Sequence, residues 1–318
     1  MMPPIAGLIV SLAIATASIG SVSGQEFPGK PIRIVVGGAG SSADFVARLV
    51  AQGLSANLGQ PAVVDNRPSG IIPGETVSKA PPDGYTLLSA AGTQWIGPLL
   101  QKTPYDPIAD FSTITLAGRA PNILVVHPSL PVKSVRELIA LAKARPRALN
   151  FATSGTGSTT HLAGELFNAL AGVSITRINY KGAGAIINDL VGGQVDMMFG
   201  TSGSVIPHIR SGRLKALAVT SAEPFALLPG LPTVAATVPK YESVGMVGFF
   251  APARTPDLVI NRLNQEILRV LNQADIKEKL LSVGIEPVGS SPKEFRSALR
   301  SEMTRLGKVI KDAGIRAD

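Results

Sequence analysis

Pro31-Ile32-Arg33-Ile34-Val35-Val36-Gly37-Gly38-Ala39-Gly40-Ser41-Ser42-Ala43-Asp44 is an apolar strand that runs into a Gly/Ser turn, and the turn opens a helix. Such a turn offers backbone N–H groups and the positive end of a helix dipole to an anion. About 120 residues later the pattern returns, where Leu149-Asn150-Phe151-Ala152-Thr153 runs into Ser154-Gly155-Thr156-Gly157-Ser158-Thr159. Two helix N-termini facing each other across a cleft predict a protein that grips a small anionic ligand.

Outward from these turns, strand-like runs alternate with helical ones, which predicts an α/β architecture with largely parallel sheets. Residues 32–36 precede an amphipathic helix over about 43–58, with Val46, Leu49, Val50 and Leu54 on one face. A strand at 62–64, a short helix near 74–79 and a strand at 85–90 follow, the last after the turn Pro82-Asp83-Gly84. A second series starts at 123–126. Ser134-Val135-Arg136-Glu137 has the spacing of a capping box and opens a helix to about Arg145. Strand–helix units recur at 175–179 with 185–191 and at 195–199 with 205–211, before a strand at 215–220. Residues 221–241, rich in Pro and Ala, read as a long surface connection. After the apolar run 246–251 the chain reads as helical throughout, with helices opened by Pro256 and by Ser291-Pro292-Lys293-Glu294. The pattern predicts one lobe from residues 25–121 plus 249–318 and a second from residues 122–248, joined by crossing segments near Asn122 and Gly248.

The 318 residues suit one large domain or two of ordinary size. Residues 5–19 are apolar but short for a membrane span. With Val22-Ser23-Gly24 ahead of Gln25 they read as an export signal over residues 1–24, cleaved near Gly24/Gln25, which places the mature chain in the periplasm. Met1-Met2-Pro3-Pro4 carries no Lys or Arg, and the alternatives are an uncleaved anchor or a wrongly assigned start. The chain has no cysteine, which excludes disulfides, thiolate catalysis and Cys-ligated metals. His127, His161 and His208 each lack a second ligand at metal spacing, so no metal site is expected. The net charge of +8 falls wholly after residue 24, on scattered basic residues without interleaved aromatics. That argues against nucleic acid and suits a diffuse field that steers small anions.

Gly38-Ala39-Gly40-Ser41-Ser42-Ala43 also matches the dinucleotide fingerprint, and the next strand ends in an acid at Val63-Val64-Asp65. That reading predicts a nucleotide-dependent enzyme. Against it stand the export signal, the immediate Asn66-Arg67-Pro68, and the absence of a downstream acid–base group. No Gly-Lys-Ser/Thr loop and no G-x-S-x-G elbow occurs. His161, one turn into the second helix, either fixes its loop or contacts the ligand. Asp44, in the first turn of the first helix, either serves the helix dipole or orients a water against the ligand. Trp95 is either core or a wall of the ligand pocket.

Phe27-Pro28-Gly29-Lys30-Pro31-Ile32-Arg33, Asp44 with Ala47-Arg48, Gly59-Gln60, Asp65-Asn66-Arg67-Pro68, Pro82-Asp83-Gly84-Tyr85-Thr86-Leu87-Leu88, Pro104-Tyr105-Asp106-Pro107 and Asp110-Phe111 follow one another in order. Gly155, Gly157, His161-Leu162-Ala163, Tyr180-Lys181-Gly182, Asp189-Leu190, Gly193-Gln194-Val195, Leu231-Pro232-Thr233 and Ala251-Pro252 continue the series. From Phe27 to the C-terminus the chain thereby resembles the Bug-type, or tripartite tricarboxylate transporter, periplasmic substrate-binding proteins. The resemblance implies a two-lobed Venus-flytrap fold of the type II periplasmic-binding-protein class, with two mostly parallel sheets. It implies a monomeric solute receptor rather than an enzyme, with no cofactor, holding a small carboxylate between the two β–α turns. The implied partners are membrane permease subunits of such a transporter or, alternatively, a sensor kinase. The candidate ligand-binding residues are Gly38, Ala39, Gly40, Ser41, Asp44, Thr93, Gln94, Trp95, Ser154, Gly155, Thr156, Gly157, His161, Gly200 and Thr201. Relatives usually carry Pro and an aromatic residue where this chain has Val36-Gly37, and an acid where it has Gly200. Ser69-Gly70-Ile71-Ile72-Pro73 stands in place of their Gly-rich stretch. The two glycines predict a roomier, less acidic cleft that favours aliphatic or aromatic acids over amino acids.

Overall fold

The computed structural model describes residues 27–67, 70–180, 183–225, 227–312 and 314–315. The export signal and its cleavage point lie outside these residues. Strand β1 (Ile32–Val36) runs between two parallel neighbours, β2 (Ala62–Asn66) and β3 (Thr86–Ala90). A strand covered on both faces needs a near-continuous apolar run, and Ile32, Ile34, Val35 and Val36 are fully buried. The crossovers are α1 (Ser42–Leu58) and α2 (Ile72–Ser78), and α3 (Thr93–Leu100) follows β3. Ser41 caps α1 by accepting the Asp44 N–H, and Gly59 ends it in the left-handed region. The apolar stripe Val46, Val50 and Leu54 packs with Ile260, Leu263, Ile267 and Val270 of α8 (Asp257–Leu271).

The second half is built alike. After α4 (Val135–Ala144) come β5 (Asn150–Thr153), α5 (Thr159–Ala171), β6 (Thr176–Asn179), α6 (Ala183–Val191), β7 (Met197–Thr201), α7 (Ser202–Arg210) and β8 (Lys215–Val219). β5 pairs in parallel with both β6 and β7. Ser134 caps α4 through the Glu137 N–H, as its spacing predicts.

The halves are joined by β4 (Phe111–Val126) and β9 (Val244–Pro252), so the strands of the described residues form one ten-stranded sheet in the order β2-β1-β3-β9-β4-β7-β5-β6, with β8 and β10 (Glu286–Pro287) pairing β4 off that path. Each outer triad is parallel, as expected, but the centre is antiparallel. β4 pairs with β9 over Phe111 to Pro121 and with β7 over Asn122 to Val126. The sequence signals only the last four residues of this strand, because Gly118, Arg119 and Pro121 interrupt its apolar pattern. Its register with β9 shifts at Thr113/Thr115 and Leu116/Gly118, while Arg119 and Pro121 pair in order with Met246 and Val244. Gly118 lies where a Cβ would come within 2.6 Å of Ile285. β9 pairs with β4 from Val244 onward, so residues 244–248 stand on the first half's sheet and the second crossing precedes the position expected near Gly248.

Two other expectations shift. Residues 221–241 are not merely a surface connection, since Phe225, Val234, Val238 and Tyr241 are buried, and the Tyr241 hydroxyl donates to the Ala163 carbonyl at 3.0 Å. The helical C-terminal region, α8, α9 (Ala274–Ser282) and α10 (Pro292–Asp312), is interrupted by the short β10.

At the crossing, Asn122 of β4 and Ser243, just before β9, are tied by one buried side chain. The Thr220 hydroxyl accepts the Asn122 N–H at 2.8 Å and lies 2.6 Å from the Ser243 carbonyl and 3.0 Å from the Asn122 carbonyl. The Thr220 backbone repeats the link, since its N–H donates to Asn122 and its carbonyl accepts from Ser243. Thr220→Val keeps the shape and orphans a buried N–H and a buried carbonyl. We expect it to lower unfolding stability by about 1–3 kcal/mol in urea titration; an unchanged midpoint would contradict the importance of this tie.

Candidate functional site

The register of the strands decides where a ligand can sit. Ala90, the last residue of β3, pairs with Gly248, which pairs with Leu116 of β4. Thr201, the last residue of β7, pairs with Asn122. The carboxyl ends of the two parallel triads therefore point at each other across the span Leu116 to Asn122, six residues or roughly 20 Å. Open α/β sheets bind ligands outside the carboxyl ends of their strands, and here two such ends share one crevice.

On each side of that crevice the strand-to-helix turn has the same construction. The Gly40 N–H donates to Asp44 Oδ2 at 2.9 Å, and the Gly157 N–H donates to His161 Nδ1 at 3.1 Å. Ser41 Oγ accepts the Asp44 N–H, and Ser158 Oγ accepts the His161 N–H. The Ser41 N–H reaches back to the Gly38 carbonyl at 3.3 Å, and the Ser158 N–H to Gly155 at 3.2 Å. Gly40 and Gly157 have φ of 78° and 77°, a conformation that favours glycine. Gly-x-Gly-Ser-x-x-Asp and Gly-x-Gly-Ser-x-x-His are thus one cradle used twice, each braced by a side chain four residues after the second glycine.

The two braces differ in chemistry. Asp44 is buried, which alone would push its carboxyl up; hydrogen bonds from Arg48, Asn66 and Gly40 outweigh this and hold it below the usual 3.8. Arg48 contacts both carboxylate oxygens, and Asn66 Nδ2 donates to Oδ1 at 2.9 Å. His161 is fully buried, with Nε2 against Arg177 and 4.0 Å from Glu165. Both residues therefore lie beneath their loops and shape them. Among the described residues, the Ala39 N–H and the Gly155 N–H have no partner. Ser154 Oγ lies 3.2 Å from Thr160 Oγ1, which also accepts the Ser154 N–H.

The remaining candidates separate. Gly157 and Thr159 abut α3: a Cβ on Gly157 would lie 3.7 Å from Gly97, and one on Gly92 would lie 3.2 Å from Thr159 Cγ2. Half-buried Thr93 opens α3 in this contact region, while Gln94 is buried with its Nε2 unpartnered among the described residues. Trp95 is 1% exposed and packs on Phe250 at 6.3 Å, so it is a core residue and not a pocket wall. Gly200 also departs from expectation. A Cβ there would meet Val205 Cγ1 at 2.3 Å, so this glycine admits the close approach of α7 to β7 and does not face the crevice. Gly37 has no atom within 4 Å of its Cβ position and does open onto space. Thr201 is exposed at the end of β7, its hydroxyl donating to Ser204. Asp65, the would-be ribose ligand, is held by Arg33 and Arg67. Sequence reading missed the braces' partners Arg48 and Asn66. The i, i+4 spacing of Asp44 and Arg48 was the available signal.

Residues 46–315 match the description of the tripartite tricarboxylate transporter family receptor. The chain is 35% identical to protein BugT of Bordetella pertussis over 314 residues, covering 96% of each. It is 37% identical to an R. palustris protein solved with adipate, with a TM-score of 0.85 over 92% of this chain and 100% of that one. MatC from Rhodopseudomonas palustris with bound malate is 29% identical, with a TM-score of 0.81 over 89% and 100% of the two chains.

The Asp44 brace has a pH signature. A depressed folded-state value means that its contribution is complete above 3.8 and is lost as pH falls through the lower folded value. We expect Asp44→Asn to lower stability at pH 7 by about 1–3 kcal/mol, and the gap to wild type in urea titrations to close below about pH 3.8. A gap of equal size at neutral and strongly acidic pH would contradict this.

Proposed function

We propose, from the premise that this chain belongs to the tripartite tricarboxylate transporter family of receptors, that it is an exported receptor which binds a small carboxylate and presents it to membrane permease subunits. The observation that carries the reading is the pairing of two cradles of the same construction at the facing carboxyl ends of one continuous sheet. A carboxylate accepting from Ala39 and Gly155 lies at the positive ends of α1 and α5 together, and each helix end favours negative charge by about 0.3–1 kcal/mol at an exposed site. Enclosure between the lobes removes water and strengthens both interactions. The adipate and malate complexes of its structural neighbours are of the same ligand chemistry.

The ligand acts as the bridge between lobes. A conformational equilibrium moves only as far as the ligand's differential contacts with the closed form allow. Contacts from both cradles supply that difference, and the paired segments at Asn122 and Ser243 are where the lobes turn. The open space at Gly37 leaves room for a longer aliphatic or an aromatic acid. The Asp44 carboxylate is committed to Arg48 and Asn66, which leaves an α-ammonium group without a partner on that brace. The chain acts as a binding protein in the periplasm; among the described residues no helix is long and apolar enough to cross a membrane.

Thermal shift followed by calorimetry against adipate, malate, citrate, benzoate, aspartate and glutamate tests this. We expect at least one of the first four to stabilise the protein, by about 2.7 kcal/mol at 100 times its Kd, and the two amino acids to bind poorly. Binding of aspartate or glutamate alone would contradict the selectivity, and no response to any carboxylate would contradict the function.

A further inference from the structure

Asn122 stands where the lobes cross, and its chemistry is unused by the fold. The residue is 1% exposed, its neighbours on β4 are apolar, and its side-chain Nδ2 has no hydrogen-bond partner among the described residues. A buried amide donor without a partner is destabilising, and an apolar residue of similar volume would serve the core better.

Three observations place this amide beside the second cradle. Side chains alternate along a strand, and Leu124 and Val126 pack in one cluster with Ala163, Leu166 and Phe167 of α5, whereas Ile123 and Val125 belong to the opposite one with Val205 and Ile206 of α7. Asn122 therefore shares the face of the sheet that α5 covers. The register gives its height. Asn122 pairs with Thr201 of β7, and β7 pairs with β5 through Met198 and Ala152, which brings Ser154 and Gly155 to the level of Gly200 and Thr201. Two strand spacings, roughly 10 Å, separate the Asn122 backbone from that of the cradle. The start of α5 leans into this interval: a Cβ at Gly245 would lie 3.4 Å from Thr159 Cγ2 and 3.1 Å from the Ala120 carbonyl, two residues from Asn122.

We propose that Asn122 is a ligand-binding residue at the floor of the crevice, its amide donating a hydrogen bond to an oxygen of the acid held at the N-terminus of α5. This inference rests on the carboxylate reading above. A neutral donor suits an anion without a competing counter-ion. The Asn122 backbone is itself knotted to Thr220, its N–H donating to Oγ1 and its carbonyl accepting from the Thr220 N–H. A ligand that engages the side chain is therefore in direct contact with the segment about which the lobes turn.

Asn122→Leu removes the donor and fills the same space, and Asn122→Asp replaces it with a negative acceptor of the same shape. Calorimetry at pH 7.5 with adipate and malate, alongside ligand-free melting curves, reads both variants. We expect the Leu variant to melt at or above the wild-type temperature without ligand and to bind at least tenfold more weakly. We expect the Asp variant to bind at least 100-fold more weakly. Binding within twofold of wild type by either folded variant overturns the assignment of Asn122. A wild-type chain that binds neither these acids nor the others of the panel overturns the carboxylate reading, and this inference with it.

Discussion

The arrangement depends on the Thr220 hydroxyl and the two segments it ties. Among the described residues, β4 is the one strand that pairs with both halves of the molecule, changing partner between Pro121 and Asn122. At that point Asn122 and Ser243 must stay side by side whatever the lobes do, and Thr220 provides bonds to both. Because these groups are buried, breaking any one bond leaves a polar atom without water. The crossing is thereby held as a unit. The carboxyl ends of both triads are aimed at the same span of β4, so the geometry of the crevice follows from this constraint.

The matched cradles show how one local solution serves two chemical settings. In each, a glycine with positive φ turns an N–H toward a side chain four residues ahead, and a serine caps the helix. Braced loops have less freedom to lose when an anion arrives, which improves affinity through preorganisation. Asp44 supplies its brace as a carboxylate neutralised by Arg48, so the first loop keeps a nearly balanced local charge. His161 supplies the other from a fully buried ring beside Arg177 and Glu165. A carboxylate brace at a helix N-terminus occupies the very field that attracts a ligand anion; only its pairing with a cation leaves that field available.

Much of this was readable in the residues themselves. Gly-x-Gly-Ser between an apolar run and an amphipathic helix announced both cradles, because glycine, serine and period-3.6 apolar spacing act locally. What was hidden depends on long-range packing. Trp95 follows a strand end and has the composition of a pocket wall, but Phe250 from β9 covers it. Gly200 resembles the loss of a pocket acid, yet its missing Cβ makes room for Val205. β4 was legible only in its last four residues, since its first eleven derive their stability from β9, more than 100 residues away. Asn122 gave no local signal at all. Its place beside the cradle follows from a register shared by three strands, with Thr201 beside it and the Ser154 loop two strands beyond.

The central claim is that one anion is held by both cradles at once. Amide NMR on uniformly 15N-labelled protein, titrated with the acid that binds best, tests it at the two N–H groups concerned. The account predicts that the Ala39 and Gly155 resonances both move downfield, along titration curves with the same Kd. Movement of one without the other, or of neither at saturation, would contradict it.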